Sequence, residues 1–224
     1  MSVHEGHRER MKKKLLEQGL DPFDDHNVLE LLLFFAMPRK DTNPVAHELI
    51  ESFGSLEAVL EAPADELTKI NGIGENSVAL LKLIPEVCRR YEMSKNRFGD
   101  ILDSTEKAGN YLSSRYLFER DEVVYVICLD SKRKVICCKE LFRGDVNSAE
   151  VSTRKIAELA LSKNATSVII SHNHTSGIAL PSKDDENTTM RVKSSLETIG
   201  ITLADHIIVA GDDFISMAES GMLG

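Results

Sequence analysis

The chain has 224 residues, 42% of them hydrophobic and 28% charged, a balance that excludes a disordered chain and suits one or two folded domains. Its 27 basic and 36 acidic residues give a net charge of −9, and the acidic excess holds in both halves: 13 basic against 17 acidic over residues 1–98, 14 against 19 over 99–224. A strong, general nucleic-acid binder is thereby excluded, so any DNA contact has to be local.

No apolar run approaches the ~18 residues of a membrane span. The N-terminus has no hydrophobic segment of the secretory kind. The four cysteines, Cys88, Cys128, Cys137 and Cys138, form neither a disulfide framework nor a Cys-x-x-Cys knuckle. The expectation is a soluble, cytoplasmic protein with reduced thiols and no membrane partner.

From Gly6 to Arg97 apolar residues recur at spacings of three and four, the helical period, and four or five short helices follow. Asp24-Asp25-His26-Asn27 opens a helix over Val28–Ala36 that Pro38 stops. Asn43-Pro44 opens a second through Phe53, where Gly54-Ser55 breaks it. Leu56–Glu61, Leu67–Ile70 and about Asn76–Met93 complete the set, the fourth ending at Asn71-Gly72. The polar, glycine-containing stretch Ser94–Asp100 is the best linker, which divides the chain into a helical domain over 1–98 and a second over 99–224.

The second domain alternates strand and helix. Glu122–Leu129 and Lys134–Phe142 are β-rich runs joined by Asp130-Ser131-Lys132-Arg133, an antiparallel hairpin. A helix over Thr153–Lys163 leads to Ser167–Ser171, a short apolar strand of the kind buried on both faces. A Gly-Pro loop, a helix over Lys183–Ile199, a strand at Asp205–Ala210 and a β segment at Phe214–Ser216 finish an α/β sandwich.

The chemistry gathers at the end of the buried strand, in Ser171-His172-Asn173-His174-Thr175-Ser176-Gly177 and the following Pro181-Ser182-Lys183-Asp184-Asp185. His172 and His174 are two apart on a strand, so both imidazoles project to one side, as two ligands of one ion require. Asp185 falls in the first turn of the next helix, where its carboxylate can fold back over the strand end. Two His and one Asp leave a fourth position for water, the arrangement of a catalytic zinc site. A water on such a zinc is acidified towards pKa ~7 and becomes a nucleophile once a general base takes its proton. Residue type alone leaves Glu140 and Glu150 equal as that base. Ser182 offers a hydroxyl to the oxyanion, and it is equally an N-cap with acidic residues at the helix start. Asn173, between the ligands, points the other way and suits a structural hydrogen bond. His4, His7, His26, His47 and His206 read as ordinary surface or core histidines.

The spacing His-x-His-x7-Ser-x2-Asp resembles the JAMM motif of MPN-domain metalloproteases. The surrounding chain resembles the bacterial RadC family in Glu140–Gly144, Ala165–Gly177, Pro181-Ser182 and Leu203–Val209. The likeness runs from about residue 103 to the end and continues less sharply through the helical half. It implies a mixed-sheet, cytidine-deaminase-like α/β domain with one zinc on His172, His174 and Asp185, Glu140 as acid/base and Ser182 as oxyanion support, acting on a peptide or isopeptide bond. Base deamination is excluded, because it needs a Pro-Cys-x-x-Cys beside its His-x-Glu, and no Pro-Cys-x-x-Cys occurs. Two positions depart from the family: Thr175 stands where proline is common, and Ser152-Thr153-Arg154-Lys155 replaces a His-Pro-Arg-Glu type of segment.

In the helical half, Phe53–Leu60 and Ile70–Val78 resemble paired helix-hairpin-helix elements, in which glycines such as Gly72 and Gly74 let backbone N–H groups approach a DNA phosphate. Glu75 follows directly, and a carboxylate so placed opposes a phosphate by roughly 1 kcal/mol. The alternative function is therefore a DNA-associated repair or recombination accessory with weak contact through Gly72 and Gly74. The basic run Arg8, Arg10, Lys12-Lys13-Lys14 reads as a solvated helix face.

Overall fold

The computed structural model describes residues 3–95, 100–144 and 152–223. By contact the chain divides into two compact units, Met1–Cys88 and Arg89–Gly224. Of the expected linker Ser94–Asp100, Ser94 and Lys95 belong to the last turn of a helix, and residues 96–99 lie outside the described residues.

The first unit is helical: α1 Val3–Gln18, α2 Asp25–Ala36, α3 Asn43–Phe53, α4 Leu56–Glu61, α5 Ala64–Leu67 and the start of α6 Glu75–Lys95. The apolar stripes meet in a core of Leu29, Leu33, Leu49, Val59, Leu67 and Leu81. The helix expected over Leu67–Ile70 instead ends at Leu67. Pro63 has φ −55° and precedes the first turn of α5, where Asp65 and Glu66 face the positive end of the helix dipole. Part of the basic N-terminal run is structural: the Arg8 guanidinium donates to the carbonyls of Met37 and Pro38, each at 2.9 Å.

The second unit is a five-stranded mixed sheet in the order β2-β1-β3-β4-β5, built from β1 Val123–Leu129, β2 Val135–Arg143, β3 Ser167–Asn173, β4 Thr202–Ala210 and β5 Asp213–Ser216. All neighbours are antiparallel except β3 and β4, which the crossover helix α9 Lys183–Glu197 joins in parallel. Alternation along the strands sorts side chains between two cores. Val124, Val126, Val168 and Ile170 pack with α8 Thr153–Ser162 and α9; Val123, Ile127, Leu129 and Ile169 pack with α7 Thr105–Tyr116.

Helix α7 has no counterpart among the expected elements. Its buried face is Ala108, Gly109, Tyr111, Leu112 and Tyr116, and Gly109 is required because a Cβ there would lie 2.3 Å from the Phe214 ring. Among the described residues no helix is long and apolar enough to cross a membrane, and the cysteines are free thiols.

Candidate metal centre

Residues 168, 170 and 172 point to the α9 side of the sheet, so His172, itself buried, faces the start of that helix. His174 stands just past β3, where its N–H continues the ladder to the Val209 carbonyl at 2.8 Å. Its Nδ1 lies 3.0 Å from the Ile178 carbonyl. A carbonyl only accepts, so Nδ1 carries the proton and Nε2 presents a lone pair. The same contact ties down the loop that bears Thr175. Asn173 faces away, accepting from the Val123 N–H at 2.7 Å and donating to the Asp121 carbonyl at 2.9 Å.

Asp185 arrives from the N-terminus of α9 in a capping box: the Ser182 hydroxyl accepts from Asp185 N–H at 3.1 Å, and Asp185 Oδ2 accepts from Ser182 N–H at 2.8 Å and from its hydroxyl at 2.6 Å. The other oxygen, Oδ1, is 3.1 Å from His172 Nε2. Burial works to raise this carboxyl, but the His172 and Ser182 hydrogen bonds outweigh it and hold Asp185 well below the usual carboxylate range. Ser182 thus occupies the capping role, with its one hydroxyl proton committed to Asp185.

The three donors fit zinc. A tetrahedron with bonds of ~2.0–2.1 Å has donor-to-donor edges of roughly 3.3 Å. Here His172 Nε2 is 2.9 Å from His174 Nε2 and 3.1 Å from Asp185 Oδ1, His174 Nε2 is 3.5 Å from the other carboxylate oxygen, and one donor atom from each of the three residues lies within 4.8 Å of the others. Among the described residues this is the one group of three or more His, Cys, Asp or Glu side chains able to hold a metal.

Glu140 is not brought to this group. Its Cα partner on β1 is Tyr125, which opposes Ser171 on β3; His172 instead opposes Val124, so Glu140 and His172 lie on opposite faces. The cause is a bulge at Leu141. The register passes from Val124↔Phe142 to Tyr125↔Glu140, and the extra residue reverses the alternation that would otherwise have put Glu140 on the histidine side. Both Glu140 oxygens are held by Arg143, at 3.0 and 2.8 Å, and that hydrogen bonding lowers its pKa. Glu150 lies outside the described residues.

Another glutamate, Glu122, stands just ahead of β1, two residues before Val124, whose partner His172 closes the β1–β3 ladder. It is half-buried, and its carbonyl accepts from Gly144 N–H at 2.9 Å. His206, read as structural, is buried against the site, its Nε2 2.9 Å from His172 Nδ1; burial pushes its pKa down to about 3.

In the helical unit, Gly72 (φ +92°) and Gly74 form the turn into α6 and line a cavity of about 640 Å³ with Arg39, Lys40, Glu75 and Ser77.

The sequence comparisons agree with this architecture. Residues 102–222 match the model of the RadC-like JAB domain, and residues 4–79 match that of the UPF0758 N-terminal domain. A UPF0758 protein of Fusobacterium nucleatum is 36% identical over 229 residues, covering 98% of each chain. Others from Nitrosococcus oceani and Idiomarina loihiensis are 37% and 36% identical over 215 residues, covering 96% of each chain. An α/β sheet carrying a His-His-Asp cluster, a RadC-like JAB match over more than half the chain and near full-length relatives converge: the protein belongs to the UPF0758 family of RadC-like JAB-domain proteins.

Proposed function

We propose that the protein is a zinc-dependent hydrolase that cleaves an amide of the peptide or isopeptide kind. The observation that carries this reading is the convergence of His172 Nε2, His174 Nε2 and Asp185 Oδ1 at the end of β3, with the His174 lone pair fixed towards the others by the Ile178 carbonyl. Zinc, when bound, supplies a Lewis acid and a water acidified towards pKa ~7.

The remaining work falls to the chain. Glu122 takes the proton of the attacking water as the C–O bond forms and then hands it to the nitrogen as the C–N bond breaks, so that the products are a carboxylate and an amine. Glu122 is assigned this role in preference to Glu140 because it stands two residues before Val124, the β1 partner of His172, whereas Glu140 lies on the opposite face with both oxygens held by Arg143. Ser182 holds Asp185; its support of the oxyanion requires the hydroxyl proton to swing from Asp185 Oδ2 to the substrate oxygen. The test is turnover of peptide and isopeptide libraries by the zinc-loaded protein, against the chelated protein and Glu122→Gln.

A second reading, a DNA-associated accessory, is favoured by one feature: the Gly72–Gly74 turn opens on a cavity that Arg39 and Lys40 also line. It calls for salt-sensitive binding of branched or single-stranded DNA that weakens in Arg39→Gln/Lys40→Gln. Absence of binding at ~50 mM salt ends it.

A further inference from the structure

The turn into α6 carries donors that the helical unit does not use. The N–H groups of Ser77 and Val78 close on the Gly74 carbonyl at 2.9 and 3.0 Å, whereas those of Glu75 and Asn76, in the first turn, have no acceptor among the described residues. Ser77 is 3% exposed, yet its hydroxyl has no hydrogen-bond partner among the described residues and lines the cavity of about 640 Å³ at the helix start. A buried hydroxyl in that state is completed by a group from outside. Gly74 agrees with this. Its φ is not left-handed, and no atom stands within 4 Å of where a Cβ would be, so neither backbone nor packing requires glycine there. The bare backbone leaves room for a ligand to come close.

The same cavity carries two cations on a fixed loop. Arg8 donates to the carbonyls of Met37 and Pro38, each at 2.9 Å, and to that of Lys40, which ties the loop backbone to α1. Arg39 and Lys40 line the cavity and enter no ion pair with a described residue, and Glu75 is the one carboxylate among the described lining residues. The two cations and the positive helix end, less Glu75, leave about 1.5 positive charges. A phosphomonoester carries ~1.5–2 negative charges at neutral pH, against about one for a phosphate inside a strand. The remaining lining, Ala36, Met37 and Pro38, is apolar, and the volume falls in the small-molecule range of ~300–1,000 Å³. A phosphate alone leaves most of that space empty; a phosphate bearing a flat apolar ring fills it.

We propose that this cavity binds the terminal phosphate of a nucleotide. The phosphomonoester accepts from the Glu75 and Asn76 N–H groups and the Ser77 hydroxyl and pairs with Arg39 and Lys40, while the base lies on Met37 and Pro38. A free mononucleotide and the phosphorylated end of a strand supply the same group. The site does not depend on the metal centre, and it narrows the DNA-associated reading from the interior of a strand to its phosphorylated end.

The test is titration of isotope-labelled full-length protein at ~50 mM salt with AMP, with adenosine, and with oligothymidylates phosphorylated at either end or at neither. AMP should shift the amide signals of Glu75, Asn76 and Ser77, and adenosine should not. Ser77→Ala should weaken AMP binding ~10-fold, as loss of a hydrogen bond to a charged group does; Gly74→Ala, whose methyl stands in the approach, should weaken it too, and Arg39→Gln/Lys40→Gln should lose it. A phosphorylated strand bound ~10-fold or more tightly than the unphosphorylated one identifies the strand end as the source. Binding of AMP without binding of any strand identifies a free nucleotide and ends the DNA-associated reading. Strands bound alike with or without a terminal phosphate while AMP leaves Ser77 unmoved, or an unaltered AMP affinity in folded Ser77→Ala, overturns the inference and leaves the DNA-associated reading standing. No binding of AMP or of any strand overturns both.

Discussion

Glu140 and His172 lie on opposite faces of the same sheet, because the bulge at Leu141 inverts the alternation of β2 just where the strand passes the histidine. Glu140 is expected to be dispensable for hydrolysis and Glu122 essential. With zinc retained in both, Glu122→Gln should lower kcat by ~10²–10⁴, the span general acid–base catalysis supplies, while Glu140→Gln should stay within a few-fold of wild type. Rate measurements on any cleaved substrate decide it, and the reverse ordering would restore Glu140 as the base.

Ser182 is tied to Asp185 by its hydroxyl, both as acceptor and as donor, and by its N–H. Ser182→Ala should destabilise the metal-free protein by ~0.5–2 kcal/mol through the lost cap and weaken zinc binding by loosening the third ligand. Ser182→Thr, which keeps the cap, should restore most of both. Denaturant melts and chelator competition read the two effects. An unchanged zinc affinity in Ser182→Ala would mean the Ser182 N–H alone positions Asp185.

Asp205, on β4 beside His206, accepts from Ser216 Oγ at 2.6 Å, from His206 N–H at 2.7 Å and from Ala218 N–H at 3.1 Å. Burial raises its pKa above the ordinary 3.8 in spite of those bonds. A carboxyl that holds its proton more tightly folded than unfolded contributes stability below about pH 3.8, and that contribution drains as pH rises through the folded-state pKa. Asp205→Asn keeps both N–H acceptors on its oxygen, and its amide can donate to Ser216. Relative to this variant, the wild type should lose stability in urea melts as pH climbs from ~4 to neutrality. Asp205→Ala leaves the buried His206 N–H and the part-buried Ala218 N–H without this acceptor and should cost ~1–3 kcal/mol at every pH. A wild type that gains on Asp205→Asn with rising pH would contradict the account.

Much of the site could be read from the chain, because it depends on local rules. A strand places residues 172 and 174 on one side whatever its neighbours are, and Ser182-Lys183-Asp184-Asp185 caps a helix and fixes Asp185 by itself. What escaped depends on pairing between distant segments. The bulge at Leu141 exists only against β1, and Val124 opposes His172 only through the β1–β3 register. The His206–Thr189 contact needs β4 packed under α9. Helix α7 hid for a related reason: its buried face uses Gly109, Ala108 and two tyrosines, residues that carry little hydrophobic periodicity until Phe214 is known to press against the glycine. In the helical half, Pro63 and Pro85 are alike as breakers in sequence, yet one precedes α5 and the other sits inside α6, where the core around Leu81 and Val78 holds the helix together.

The most direct test of the central claim is the zinc content of the purified protein by inductively coupled plasma mass spectrometry, with His172→Ala/His174→Ala as its paired control. About one zinc per chain in the wild type and none in the double variant is the expected result. A wild type that holds no zinc after reconstitution, or a double variant that keeps it, would contradict the assignment of His172, His174 and Asp185 as the metal centre.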